Sequence, residues 1–193
     1  MAHMGEVTRI TFTPSGIVRR SVAILGGALL VGLAAQVAVP FPGTPVPLTL
    51  QVPMVLFVAG VLGPRMGAFS MAVYLALGIA GLPVFAPVGA PAMGLARLLG
   101  PTGGYLLAFP AAAALAGHLM RDGRSTPRLA VGLLAGLAVI YAGGIAQLAV
   151  LSGNVVRALR LGSEPFLLLD LLKLLVVGLI LRRTTSSLRA RLS

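Results

Sequence analysis

The sequence contains no cysteine, only two histidines and a single lysine, and charged residues make up 10% of its 193 positions. Without cysteine there can be no disulfide and no thiolate metal site. His3 and His118 are too few and too far apart for a metal centre, so no metal is expected. The lysine, Lys173, is followed by Leu174 and has no glycine-rich run before it. The chain therefore lacks a Walker A phosphate loop and cannot itself use ATP in that way. Catalysis of the intramembrane serine-protease type needs a nucleophile paired with a base at active-site depth. His118 lies instead beside an arginine-rich loop at a helix end, and no enzyme is expected.

The shortage of charge decides the class. A soluble domain carries roughly a quarter charged residues because its surface faces water. This chain is 58% hydrophobic and cannot cover such a surface. Its net charge of +11 does not indicate nucleic acid, because the basic residues fall at helix ends and are not interleaved with aromatics. The bilayer is the implied partner.

About 20 apolar residues span a bilayer core as a helix. Candidate spans run over about 21–39, 48 or 53 to 62, 66–82, 100–120, 129–151 and 166–181. Between the first two lies a loop with Pro40, Pro42, Pro45, Pro47 and Pro53, and Gly63-Pro64-Arg65 separates the second from the third. Residues 83–99, rich in proline and glycine, are expected to form a loop with at most short helical turns. The expected fold is thus an all-α integral membrane bundle of six transmembrane helices.

The basic residues give its orientation. Arg9, Arg19, Arg20, Arg65, Arg121, Arg124, Arg128, Arg182, Arg183, Arg189 and Arg191 fall on one side, and Arg97, Arg157 and Arg160 on the other, an 11-to-3 split. By the positive-inside rule both termini are cytoplasmic. Residues 1–18 then form an N-terminal tail whose Met-Ala-His-Met reads as an expression-vector remnant. Residues 19–182 form the membrane domain, and 183–193 a basic cytoplasmic tail. In the first span Ala28 and Gly32 are spaced for close helix approach, either within the bundle or toward a partner membrane protein.

Charges inside the bilayer each cost several kcal/mol unless paired or hydrated. Asp170 and Lys173 share a helix face at i, i+3 in the first turns of the sixth span. They form either a self-neutralising pair or the polar heart of a site open to the outside. Other polar residues fall at the same depth. These are Gln36, Gln51, Arg97, Tyr105 and a stripe on the fifth span comprising Gly144, Gln147, Leu151 and Asn154. Such a mixture suits a small amphipathic solute.

Four segments carry a resemblance. They are Pro45-Val-Pro47-Leu-Thr49-Leu-Gln51, Leu62-Gly-Pro-Arg65-Met-Gly67-Ala, Gly78-Ile-Ala-Gly81-Leu-Pro83-Val-Phe85 and Leu99-Gly-Pro101-Thr-Gly-Gly104-Tyr105-Leu. With the late Asp170-Leu-Leu-Lys173, the sequence over about 20–182 resembles the BioY family, the biotin-specific substrate-binding (S) components of energy-coupling-factor transporters. Leu168 and Leu169 depart from the proline and glycine expected there.

The resemblance implies a six-helix S-component that captures biotin from outside a prokaryotic cell, without a cofactor. A partner transmembrane coupling protein with two ATPase subunits would supply the ATP chemistry, docking through Ala28 and Gly32. Asp170 would accept from a ureido N–H, a charge-assisted bond. Lys173 and Arg97 would donate to the carboxylate or the ureido carbonyl, in either order. Phe85 and Tyr105 would form apolar walls, with Gln147 nearby, and Gln51 would stand under a semi-rigid proline-rich lid. The alternatives are an S component for another small vitamin and a non-transport membrane interaction subunit.

Overall fold

A chain with so little polar surface meets its backbone hydrogen bonds most cheaply within each segment, as helices do. The computed structural model describes residues 16–88, 94–121 and 125–192, with side chains through Arg183. It contains α1 (Gly16–Gln36), a ribbon of β1 (Ala38–Val39) and β2 (Leu48–Thr49), and then α2 (Gln51–Ile79), α3 (Leu95–Leu99) and α4 (Gly103–Leu119). α5 (Thr126–Ser152), α6 (Val155–Gly162) and α7 (Leu167–Leu192) complete the order. The helical class expected from the sequence holds, with the ribbon as a small addition.

α2 doubles back on itself. Gly63 takes φ 78°, a left-handed conformation open to glycine at little cost, and Pro64 follows it. A straight helix would hold Gln51 and Tyr74 about 35 Å apart. Instead Gln51 Nε2 donates to Tyr74 Oη at 2.5 Å, and a Cβ added to Gly67 would meet Ala59 Cα at 3.2 Å. The limbs 51–62 and 64–79 therefore pack side by side, at the break expected between the second and third spans.

With those limbs counted separately, α1, α4, α5 and α7 bring the long helical segments to six among the described residues. α1, α2 and α5 are long and apolar enough to cross a membrane, and α4 is a shorter apolar helix. α4 sits centrally against α2 and α5, and the core gathers Leu56, Tyr74, Phe109 and Ile140. Leucines instead cover the outside, including Leu25, Leu29 and Leu33 on α1 and Leu168, Leu172 and Leu175 on α7. So large an exposed apolar surface is at home in lipid.

One expectation is corrected here. Ala28 and Gly32 do not form an outward docking face. Ala28 is fully buried, and a Cβ on Gly32 would lie 3.3 Å from Val84 Cβ. Their small size serves packing within the bundle, and leucines occupy the outer face of α1. The basic tail from Arg183 is continuous with α7, which extends to Leu192. The N-terminal residues 1–15 and Arg124 lie outside the described residues.

One end of the bundle carries the connections that matter. The proline-rich loop is closed at its base by antiparallel pairing of Ala38 with Thr49 and Val39 with Leu48. Thr44 Oγ1 fastens the loop's far side by donating to Leu161 O at 2.6 Å. Gln36, at the end of α1, donates to Pro83 O at 3.1 Å and Phe85 O at 3.3 Å. The expected loop over 83–99 holds only α3 as a regular element among its described residues.

Candidate ligand-binding site

Asp170 lies in the first turn of α7, only 4% exposed. A carboxylate that deep needs donors, and it has one on each oxygen. Lys173 Nζ donates to Oδ1 at 2.8 Å, and Tyr141, reaching from α5, donates its hydroxyl to Oδ2 at 2.8 Å. Each oxygen keeps a further acceptor direction. Lys173 Nζ also donates to Thr49 O at 3.0 Å, which ties the base of the lid to the same carboxylate.

Tyr105 stands edge-on to Tyr141, with ring centroids 6.4 Å apart. Its hydroxyl donates to Gly162 O at 2.7 Å. Gly144 permits this arrangement, because a Cβ there would fall within the Tyr105 ring. Together these residues close one side of a cavity of about 50 Å³. Val46, Pro47 and Leu48 of the lid cover it, and Gln51, Arg97, Thr102, Phe109, Phe166 and Asp170 contribute further walls. Pockets for drug-sized ligands begin near roughly 300 Å³, so the lid is closed over a space that must widen to take such a ligand.

Arg97, on α3, is 2% exposed and donates Nη2 to Val88 O at 3.0 Å. Burial pulls its pKa below the ordinary arginine value, and neighbouring Tyr74 partly offsets this. Thr102 Oγ1 is buried and has no hydrogen-bond partner among the described residues. The lining is thus mostly apolar, with an anion at one wall and a guanidinium and a hydroxyl at others. A solute with an N–H donor, an apolar body and an anionic end matches that distribution.

Gln51, Arg97, Tyr105 and Asp170, all expected at the site, come together around the cavity. Lys173 acts from behind Asp170, and its stem borders the outer groove between α2 and α7. Phe85 and Gln147 are not among the residues that line this cavity. Phe85 is drawn into an aromatic cluster, edge-on to Tyr74 at 5.5 Å and seated over Gly78. Gln147 is used up on carbonyls at the turn before α4, donating to Leu98 O at 2.9 Å and Gly100 O at 2.6 Å. Residues 89–93 of the loop expected to hold ligand contacts lie outside the described residues.

Tyr141, Thr102 and Phe166 were not singled out from the sequence. Extending the Gly144–Gln147 stripe one turn inward reaches Tyr141, and Thr102 lies inside the Gly-Pro-Thr-Gly-Gly-Tyr segment. Nothing in the sequence marks Phe166.

Apolar helices enclosing a small, lidded, mostly apolar pocket with a few charged and polar groups define a membrane protein that holds a solute rather than an enzyme that transforms one. The chain belongs to the BioY family, whose model matches residues 5–190. It is 42% identical over 154 residues to the "probable biotin transporter BioY" of Pyrococcus horikoshii, covering 80% of this chain and 88% of that one. It is 39% identical to the biotin transporter BioY of Thermotoga maritima, with the same coverage of both chains. Its fold matches a crystal structure of the S-component for biotin from an ECF-type ABC transporter, with TM-score 0.78 and 26% identity. That match covers 90% of this chain and 94% of the other.

Proposed function

We propose that the protein is the substrate-binding component of a vitamin-uptake transporter, capturing biotin from outside the cell and passing it to an ATP-driven energy-coupling module. The observation that carries this reading is the buried Asp170 carboxylate, held from both sides by Tyr141 and Lys173 at the wall of a lidded apolar cavity. Biotin's ureido ring offers N–H donors to such an acceptor, its bicycle suits the apolar walls, and its valerate carboxylate suits a buried cation. Arg97 takes the carboxylate in this reading, because it lines the cavity whereas Lys173 lies behind Asp170. Thr102 supplies a further polar contact from its unpaired hydroxyl.

Six long helical segments and the 11-to-3 distribution of basic residues support six spans with both termini in the cytoplasm of a prokaryote. The pocket and lid then face outward. With no Walker A loop in this sequence, ATP chemistry falls in this reading to partner subunits, a transmembrane coupling protein with two ATPases. No cofactor of its own is needed for capture. Thermal stabilisation of the purified protein by a panel of biotin, thiamine, riboflavin and pantothenate tests the reading. Selective stabilisation by biotin supports it. Stabilisation by another vitamin reassigns the substrate, and stabilisation by none favours a non-transport interaction subunit.

A further inference from the structure

α6 presents an outer side that neither the pocket nor the bundle covers. Gly153, in a left-handed conformation at φ 66°, turns the chain out of α5. Asn154 then caps a new helix by accepting from Arg157 N at 2.9 Å. At 100° per residue this eight-residue helix sorts its side chains by surroundings. Ala158 and Gly162 face the bundle and are buried. On one flank Val155 and Val156 are 61% and 59% exposed, and Leu159 is exposed beside them. Arg157 and Arg160 are exposed on the side away from the bundle. Glu164, past the C-terminal end, is the single acidic residue between Leu151 and Leu169.

An apolar flank beside a basic face is the pattern of a helix lying in the membrane interface, with its hydrocarbon in the acyl boundary and its cations among phosphates. Water alone would leave the valines without cover. A fully apolar setting would strand the arginines. The C-terminal end of the same helix also holds the pocket closed. Leu161 O accepts from Thr44 of the lid, and Gly162 O accepts from Tyr105 of the cavity wall.

We propose that Arg157 and Arg160 bind headgroup phosphates of the outer leaflet, preferring anionic phospholipid, and that this contact steadies α6 so that the lid stays closed over bound solute. The inference rests on the outward-facing, biotin-capturing reading above. Lipid favours the closed state because the bonds from Thr44 of the lid and Tyr105 of the cavity wall both end on carbonyls of the helix it holds in place.

The test places the protein in nanodiscs of phosphatidylcholine alone or with phosphatidylglycerol and follows release of radiolabelled biotin. Release is expected to slow roughly fivefold with the anionic lipid, about one arginine's attraction to a charged surface. The difference should vanish in Arg157→Gln/Arg160→Gln, survive in Arg157→Lys/Arg160→Lys, and vanish in Thr44→Val, whose arginines are intact. Inorganic phosphate added to the neutral discs should not reproduce it. Equal release in both bilayers, or a lipid effect unchanged in the double glutamine variant, overturns the proposal. A second readout does not involve biotin. The chain has no cysteine, so a fluorophore on Val156→Cys reports this position alone. Headgroup-region nitroxide lipids should quench it strongly, and lack of quenching overturns the lipid contact itself. Quenching without biotin retention in any bilayer would instead count against the capture reading.

Discussion

The hydroxyl of Tyr141 on α5 lies 2.8 Å from Oδ2 of Asp170 on α7, opposite the oxygen that Lys173 holds. One buried carboxylate thus ties α5 to α7 at this end, and the anion is fixed before any ligand arrives. Preorganisation of this kind lowers the ordering cost of binding.

Removing that hydroxyl should leave the ring's packing and free one oxygen of Asp170 to swing. Tyr141→Phe is expected to weaken biotin affinity by roughly tenfold or more, in keeping with a hydrogen bond to a charged group. Titration calorimetry at constant lipid or detergent composition measures this. Unchanged affinity would show that Tyr141 does not position Asp170.

Lys173 joins the carboxylate to Thr49 O at the base of the lid. Lys173→Met leaves the buried Asp170 with one donor fewer and releases the lid strand. Breaking such a pair costs about 3–5 kcal/mol when fully buried, and less here because the lysine side chain is 19% exposed. Lower thermal stability without ligand is expected, together with weaker biotin binding. A cycle with Asp170→Asn should show strong coupling between the two positions, and simple additivity would contradict the contact.

Arg97 and the ligand's carboxylate can be tested as a pair. Arg97→Gln should weaken binding of biotin by about tenfold or more, as expected for a lost charge-assisted bond, but should change binding of biotin methyl ester little. Equal losses for both ligands, measured by competition, would assign Arg97 to another part of the molecule.

Gly144 has no freedom to grow. Gly144→Ala places a methyl within the space of the Tyr105 ring, a buried clash. Overpacking of this kind costs typically about 1–3 kcal/mol. A lower melting temperature and faster biotin release are expected, because Tyr105 would lose its bond to Gly162 O. Wild-type values for both would mean that the two helices separate freely at this crossing.

Much of this was legible in the sequence, for reasons that differ by residue. Helix positions follow from apolar length and from the breaks at Pro40, Gly63-Pro64 and Gly100-Pro101, which act locally. The Asp170–Lys173 pair is also local, since i, i+3 geometry fixes it without tertiary contacts. What was not legible depends on which faces meet. Ala28 and Gly32 permit close approach equally well to any neighbour, and only the assembled bundle turns them inward. Gln147 has the right depth for a ligand contact, but two loop carbonyls satisfy it first. α6 escaped notice because eight amphipathic residues are too short to register against the long apolar spans around them.

The most direct test of the whole reading is titration of biotin into the purified protein and into Asp170→Asn. One-to-one binding, with Kd of ~1 μM or tighter, is expected for the natural chain, with a large loss in the variant. No binding by the natural chain would contradict the function proposed here, and equal binding by both proteins would contradict the site.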